Sequence, residues 1–124
     1  MKIKNMSLAW VTVKDFAQAK KFFSETLGLT VSSEVEEYGW MELKAGEDSF
    51  LLGAGQCSSQ NSIKPGQNAV LTLTVDDVIA AKNDLEKKGV CFVGEIIEVP
   101  GHVKMALFQD PDGNHFQLVE QLDS

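Results

Sequence analysis

Two stretches of the chain carry one pattern. Val13-x-Asp15-Phe16-x-x-Ala19 returns as Val75-x-Asp77-Val78-x-x-Ala81, at an offset of 62 (75 − 13), and Phe23 returns as Leu85 at the same offset. Gly28-Leu29 returns as Gly89-Val90 one residue short, at 61 (89 − 28). In the first copy Leu8, Trp10 and Thr12 alternate with Ala9, Val11 and Val13, the period of a strand with two unlike faces. Asp15 then reads as a helix N-cap, with Gln18 three residues on completing a capping box. Phe16, Ala19, Phe23 and Leu27 follow as one apolar stripe, and Gly28 is a natural helix stop. In the second copy Val70, Thr72 and Thr74 alternate with Leu71, Leu73 and Val75. Asp77 caps a helix striped by Val78, Ala81 and Leu85, and Gly89 closes it. A chain written this way is predicted to fold as two copies of one unit in which a strand feeds a helix.

Three further strands are expected after each helix. In the first half they fall at about 30–35, 39–44 and 49–54, with a turn at 45–48; in the second, at 91–99, bent at Gly94, and then in a closing hairpin. That hairpin spans Met105 to Glu120 around Asp110-Pro111-Asp112-Gly113-Asn114. Pro111 presets φ, Asp110 can bond the backbone two residues on, and Gly113 accepts positive φ. Met105, Leu107 and Gln109 share a face of one arm, and His115, Gln117 and Val119 share a face of the other. The sequence therefore predicts an α+β fold: two βαβββ modules, about 5–54 and 69–121, in a single domain spanning 1–124, joined by a polar linker at about 55–68. Each helix covers one face of its own sheet. Two curved sheets can then enclose a pocket between their uncovered faces.

Composition narrows the function classes. A chain of 124 residues, 44% hydrophobic and with mean hydropathy near zero, can bury a core without disulfides or metal. Net charge is −7, and all 11 residues counted as Lys or Arg are Lys, so the guanidinium fork that grips phosphates and guanine edges is absent. Nucleic acid is not expected as a partner. No apolar run reaches the length of a membrane span, and MKIKNMSLAW lacks a signal peptide's apolar core. The expectation is a cytoplasmic protein without membrane partners, in which the isolated Cys57 and Cys91 are reduced thiols.

The strand-helix pattern ending in Gly28-Leu29, its second copy, and Phe108-x-Asp110-Pro111-Asp112-Gly113-Asn114-x-x-x-Leu118 resemble the vicinal oxygen chelate superfamily. This is the group of glyoxalase I, extradiol dioxygenases and bleomycin-resistance proteins. The resemblance runs from Met6 to Glu120. It implies paired βαβββ modules, a homodimeric assembly and pockets in concave sheet faces. It does not imply one reaction, since the group holds both metalloenzymes and metal-free binders.

Metal-using relatives take ligands from four strand positions that face the cup. Carried onto this chain, the resemblance puts these at Leu8, Val70, about Leu52 (register open by a residue or two) and Gln117. Three are aliphatic, and one amide oxygen does not make a site for a divalent ion. The two histidines do not rebuild it: His102 is in a loop and His115 sits beside the turn. No divalent metal or other cofactor is expected. The cup would instead be lined by Leu8, Trp10, Leu52, Val70, Thr72 and Gln117, an apolar lining with a few polar anchors. Trp10 could stack on a planar ligand, with Gln117 and Thr72 orienting it. One of Trp40 and Met41 also reaches the cup, and the sequence does not say which. Glu34, Glu36 and Glu37 form an acidic cluster, read as a solvated rim that at best attracts a cation.

The reading that follows is a metal-free homodimer that binds a small organic molecule in the manner of bleomycin-resistance proteins, with no catalytic residues assigned. The alternative is a lyase or dioxygenase with a rearranged metal site. A third is an interaction module whose cup is filled by its own side chains.

Overall fold

The computed structural model describes residues 1–2, 4, 6–47, 50–58, 63–68 and 70–122. The expected strand starts at 49 and 69, the last residue of the 45–48 turn and residues 59–62 of the linker lie outside the described residues. The chain divides into two compact units, Met1–Asn68 and Ala69–Ser124.

The first unit runs β1 (Leu8–Val13), α1 (Phe16–Lys21), β2 (Thr30–Val35), β3 (Trp40–Lys44) and β4 (Leu51–Gln56). Its sheet has the order β1-β4-β3-β2, with β1 parallel to β4 and the other pairs antiparallel. The second unit runs β5 (Leu71–Thr74), α2 (Val78–Lys87), β6 (Cys91–Val99), β7 (Val103–Gln109) and β8 (His115–Gln121), with the matching order β5-β8-β7-β6. These are two βαβββ modules of an α+β fold. A helix is what lets the first strand of each join the fourth in parallel, because a parallel partner needs a long crossover.

The apolar faces go where alternation directs them. In the first unit Val11, Val13, Met41, Leu43, Leu52 and Ala54 are buried together with Ala19 and Phe23 of the helical segment. In the second, Val78 and Leu85 of α2 are buried with Ala106, Phe108, Phe116 and Leu118, and Phe108 stacks on Phe116 at 5.6 Å between ring centroids. Both helices start as their sequences specify. Asp15 Oδ1 accepts from the Gln18 amide at 2.9 Å, the aspartate half of the expected capping box, and Asp77 Oδ1 accepts from the Ala80 amide at 3.0 Å. A side chain from the fourth strand takes the first amide of each helix. Gln56 Oε1 accepts from Phe16 N and Glu120 Oε1 from Val78 N, each at 3.0 Å. Glu120 is thereby committed to the start of α2. Asp77→Ala should lower stability by about 1 kcal/mol in urea unfolding, because it removes one of these two acceptors. No loss would mean that Glu120 alone satisfies the helix start.

Three local features depart from the sequence expectations. The first helix does not stay α-helical to its glycine: Phe22–Thr26 is a π turn, with the Leu27 amide donating to the Phe22 carbonyl at 3.0 Å. It still presents Phe23 fully buried, as the stripe requires. A 3₁₀ turn over Glu36–Tyr38 separates β2 from β3, and Gly39 closes it at φ 61°, so β3 begins one residue later than expected. The bend foreseen at Gly94 is a shift in β6–β7 register between Val93 and Ile97.

Candidate functional site

Pairing fixes which side chains share the sheet face opposite α1. Trp10 lies across from Gly53 and Thr12 from Gly55; Gly53 and Gly55 in turn lie across from Glu42 and Trp40. Partners in a ladder point to the same side. Leu8, Trp10, Thr12, Trp40, Glu42, Leu51, Gly53 and Gly55 therefore belong to this face, and Met41, Leu43, Leu52 and Ala54 to the other. This answers the question the sequence left between residues 40 and 41. It also corrects the expectation for Leu52. That side chain is 4% exposed, paired with Ala9 and Leu43, and packed on the helix side. The cup-side positions of β4 are its neighbours.

The two tryptophans define the face. Their rings meet edge to face, with centroids 5.9 Å apart and planes at 63°. The glycines of β4 make this possible. A Cβ on Gly53 would lie 2.5 Å from Trp40 Cη2 and 3.0 Å from Trp10 Cβ, and one on Gly55 would lie 3.2 Å from Trp40 Cε3. Trp40 thus lies across bare backbone. Its Nε1 donates to Glu42 Oε2 at 3.0 Å, two residues along the same strand. Trp10 remains 38% exposed, a large amount for an indole on a sheet that buries its other face. Thr12, on the same face, is buried.

In the second unit the face opposite α2 carries polar groups. The Thr72 hydroxyl donates to Gln117 Oε1 at 3.2 Å across the parallel β5–β8 pair, which leaves the Gln117 amide NH₂ as a donor. His115 Nε2 and Gln109 Nε2 are 3.1 Å apart across β7–β8. His115 is half-buried by this pairing. Val70, just before β5, is 49% exposed. Leu8 is half-buried beside Trp10.

Of the six residues expected to line a pocket, Leu8 and Trp10 lie on the uncovered face of the first sheet. Thr72 and Gln117 lie on that of the second, Val70 lies at its edge, and Leu52 is in a core. Trp40 was one of two alternatives for this face, and Glu42, Gly53 and Gly55 were not expected there. The sequence signal that could have found them is the Gly-x-Gly spacing of β4 set against two tryptophans on neighbouring strands. The acidic cluster is partly spent: Glu34 points to the helix side and pairs with Lys20 at 2.8 Å. Among the described residues no three His, Cys, Asp or Glu side chains gather closely enough to hold a metal ion. No described helix is long and apolar enough to cross a membrane.

Residues 6–118 match the family model of the Glyoxalase/Bleomycin resistance protein/Dioxygenase superfamily. The chain belongs to that superfamily. Among solved structures it is similar to TnmS3, described as an antibiotic binding protein from Streptomyces sp. CB03234. Identity is 29% over 98% of each chain, with a TM-score of 0.81. It is also similar to a superfamily member from Sphaerobacter thermophilus, at 26% identity over 96% of this chain and 98% of that one, TM-score 0.84. A glyoxalase/bleomycin resistance protein from Streptomyces sp. CB03234 is 30% identical over 92% of this chain and 98% of its own, TM-score 0.73. No curated protein matches the chain.

Proposed function

We propose that this protein is a metal-free binder of a small planar organic molecule, which it holds rather than converts. The observation that carries the reading is the Trp10–Trp40 pair laid over Gly53 and Gly55. Glycines placed so that Trp40 can lie across the sheet, with Trp10 beside it partly exposed, suit a stacking surface better than a core. On the sheet of the second unit, the Thr72–Gln117 pair leaves the Gln117 amide NH₂ as a donor of its own. The similarity to an antibiotic binding protein supports the same reading.

The residues at the superfamily's metal positions do not fit a divalent ion. Leu8 and Val70 carry no donor atom. The residues of β4 on Leu8's face, Leu51, Gly53 and Gly55, carry none either, and the Gln117 carbonyl oxygen already accepts from Thr72. A hard cation needs several oxygen or imidazole donors at one point. In this reading the protein works in the cytoplasm as a homodimer, the assembly that the resemblance implies.

A panel of planar aromatic compounds, followed by tryptophan emission and thermal shift, tests the proposal. At least one compound should bind saturably. Trp10→Ala should weaken that compound roughly tenfold, with dimerisation unchanged. Loss of folding in Trp10→Ala would place this indole in the core and end the proposal. Elemental analysis of protein purified without chelator should find no stoichiometric zinc, nickel, iron or manganese. A stoichiometric ion would turn the assignment to a lyase or dioxygenase.

A further inference from the structure

The carboxylate of Glu42 gives the aromatic face a charge preference. Its Oε2 accepts the Trp40 indole proton, and a carboxylate has acceptor capacity for several more donors. Glu42 is half-buried and forms no ion pair among the described residues. The nearest cation along its strand on the same face, Lys44, lies opposite Thr30 and is not paired with it. Two indole faces and one unneutralised carboxylate therefore share a single sheet surface. Tryptophan rings attract cations through their negative faces, and Trp is the best of the aromatic residues at this. The hydrogen bond from Trp40 to Glu42 also pins the ring that would do so.

Resting on the binding function proposed above, we propose that the ligand is a planar aromatic compound with a positive charge, seated on Trp10 and Trp40 with that charge facing Glu42. The net charge of −7 adds long-range attraction for such a compound and none for an anion. Neutral aromatics bind the same surface more weakly, because they gain stacking alone.

The sequence has two tryptophans, so two indole N–H resonances in ¹H–¹⁵N correlation spectra report on the site directly. The probes are 1-methylquinolinium and quinoline, at a pH where quinoline is uncharged. The cation should shift both indole resonances saturably and bind roughly tenfold more tightly than quinoline, with the gap shrinking as salt is added. Glu42→Gln keeps an oxygen that can accept from Trp40 while removing the charge, so it should leave near-UV dichroism unchanged and bring the two probes to within about twofold. Equal binding of both probes to the unaltered protein, or a cation preference that survives Glu42→Gln, would overturn the charge assignment and leave the binding function standing. Silence of both indoles with both probes also overturns it. The binding function itself falls if the wider aromatic panel is silent as well.

Discussion

Asp110→Ala should lower the unfolding free energy by about 3 kcal/mol at neutral pH, since it orphans donors in a turn that excludes water. Asp110 Oδ1 accepts from the amides of Asp112 and Asn114, and its Oδ2 accepts from Asn114 Nδ2, all at 2.9 Å. Asn114 is fully buried and Asp110 nearly so. Gly113, at φ 84°, lets the chain double back so that the Asp110 amide can also donate to the Asn114 carbonyl. One side chain thus holds the register of β7 against β8, and β8 carries Gln117. The loss should appear as a lower urea midpoint with an unchanged slope. A loss below 1 kcal/mol would mean that the turn's backbone suffices without the carboxylate.

The same group makes a pH prediction. Burial pushes the Asp110 carboxyl above its ordinary value of 3.8, and the hydrogen bonds from Asn114 and Asp112 only partly oppose this. The folded protein therefore holds this proton more tightly than the unfolded chain does. Its contribution is fully present below 3.8 and is lost as pH rises through the folded value. The stability gap between the parent protein and Asp110→Ala should accordingly narrow on going from acid toward neutral pH. A gap that widens would mean that the hydrogen bonds outweigh burial.

Much of this fold was legible because its punctuation is local. Asp15 and Asp77 cap helices in any context, Gly28 and Gly89 stop them, and Asp110 to Asn114 close a turn through their own backbone. The 62-residue repeat then turned local units into paired modules. The site was less legible because it depends on register, and register in β4 has no hydrophobic alternation to reveal it. Leu51-Leu52-Gly53-Ala54-Gly55 offers two leucines and then three small residues, so sliding it by one costs nothing on paper. In the protein that slip moves Leu52 from cup to core. The π turn at Phe22–Thr26 is equally silent in sequence, since its residues suit an α-helix as well. Glu42 becomes legible only once the strand is set, because its indole partner lies two residues along the same face.

Gly53→Val should abolish aromatic binding, with affinity falling by about a hundredfold or more, while most of the fold survives. The glycine's missing side chain is the space the tryptophans use. Even a methyl group there would sit 2.5 Å from Trp40 Cη2, 2.8 Å from Cζ2 and 3.0 Å from Trp10 Cβ. Trp10 cannot retreat at its Cβ without moving β1, so the strain falls on Trp40, whose ring must lift from the sheet and break its bond to Glu42. Overpacking of this kind costs about 1–3 kcal/mol of stability. The buried layer beneath, from Val11 to Met41 and Leu43, lies on the other face and keeps its contacts. Near-UV dichroism from the indole pair should collapse, with far-UV dichroism intact and the Trp40 indole resonance displaced toward that of an unbonded ring. The comparison with Trp10→Ala is the telling one. Trp10→Ala removes half of the stacking surface and leaves Trp40 in place, whereas Gly53→Val retains both rings and spoils their arrangement. If Gly53→Val binds aromatics as well as the parent protein does, the flat seating of Trp40 is irrelevant to binding, and the ligand must be held elsewhere.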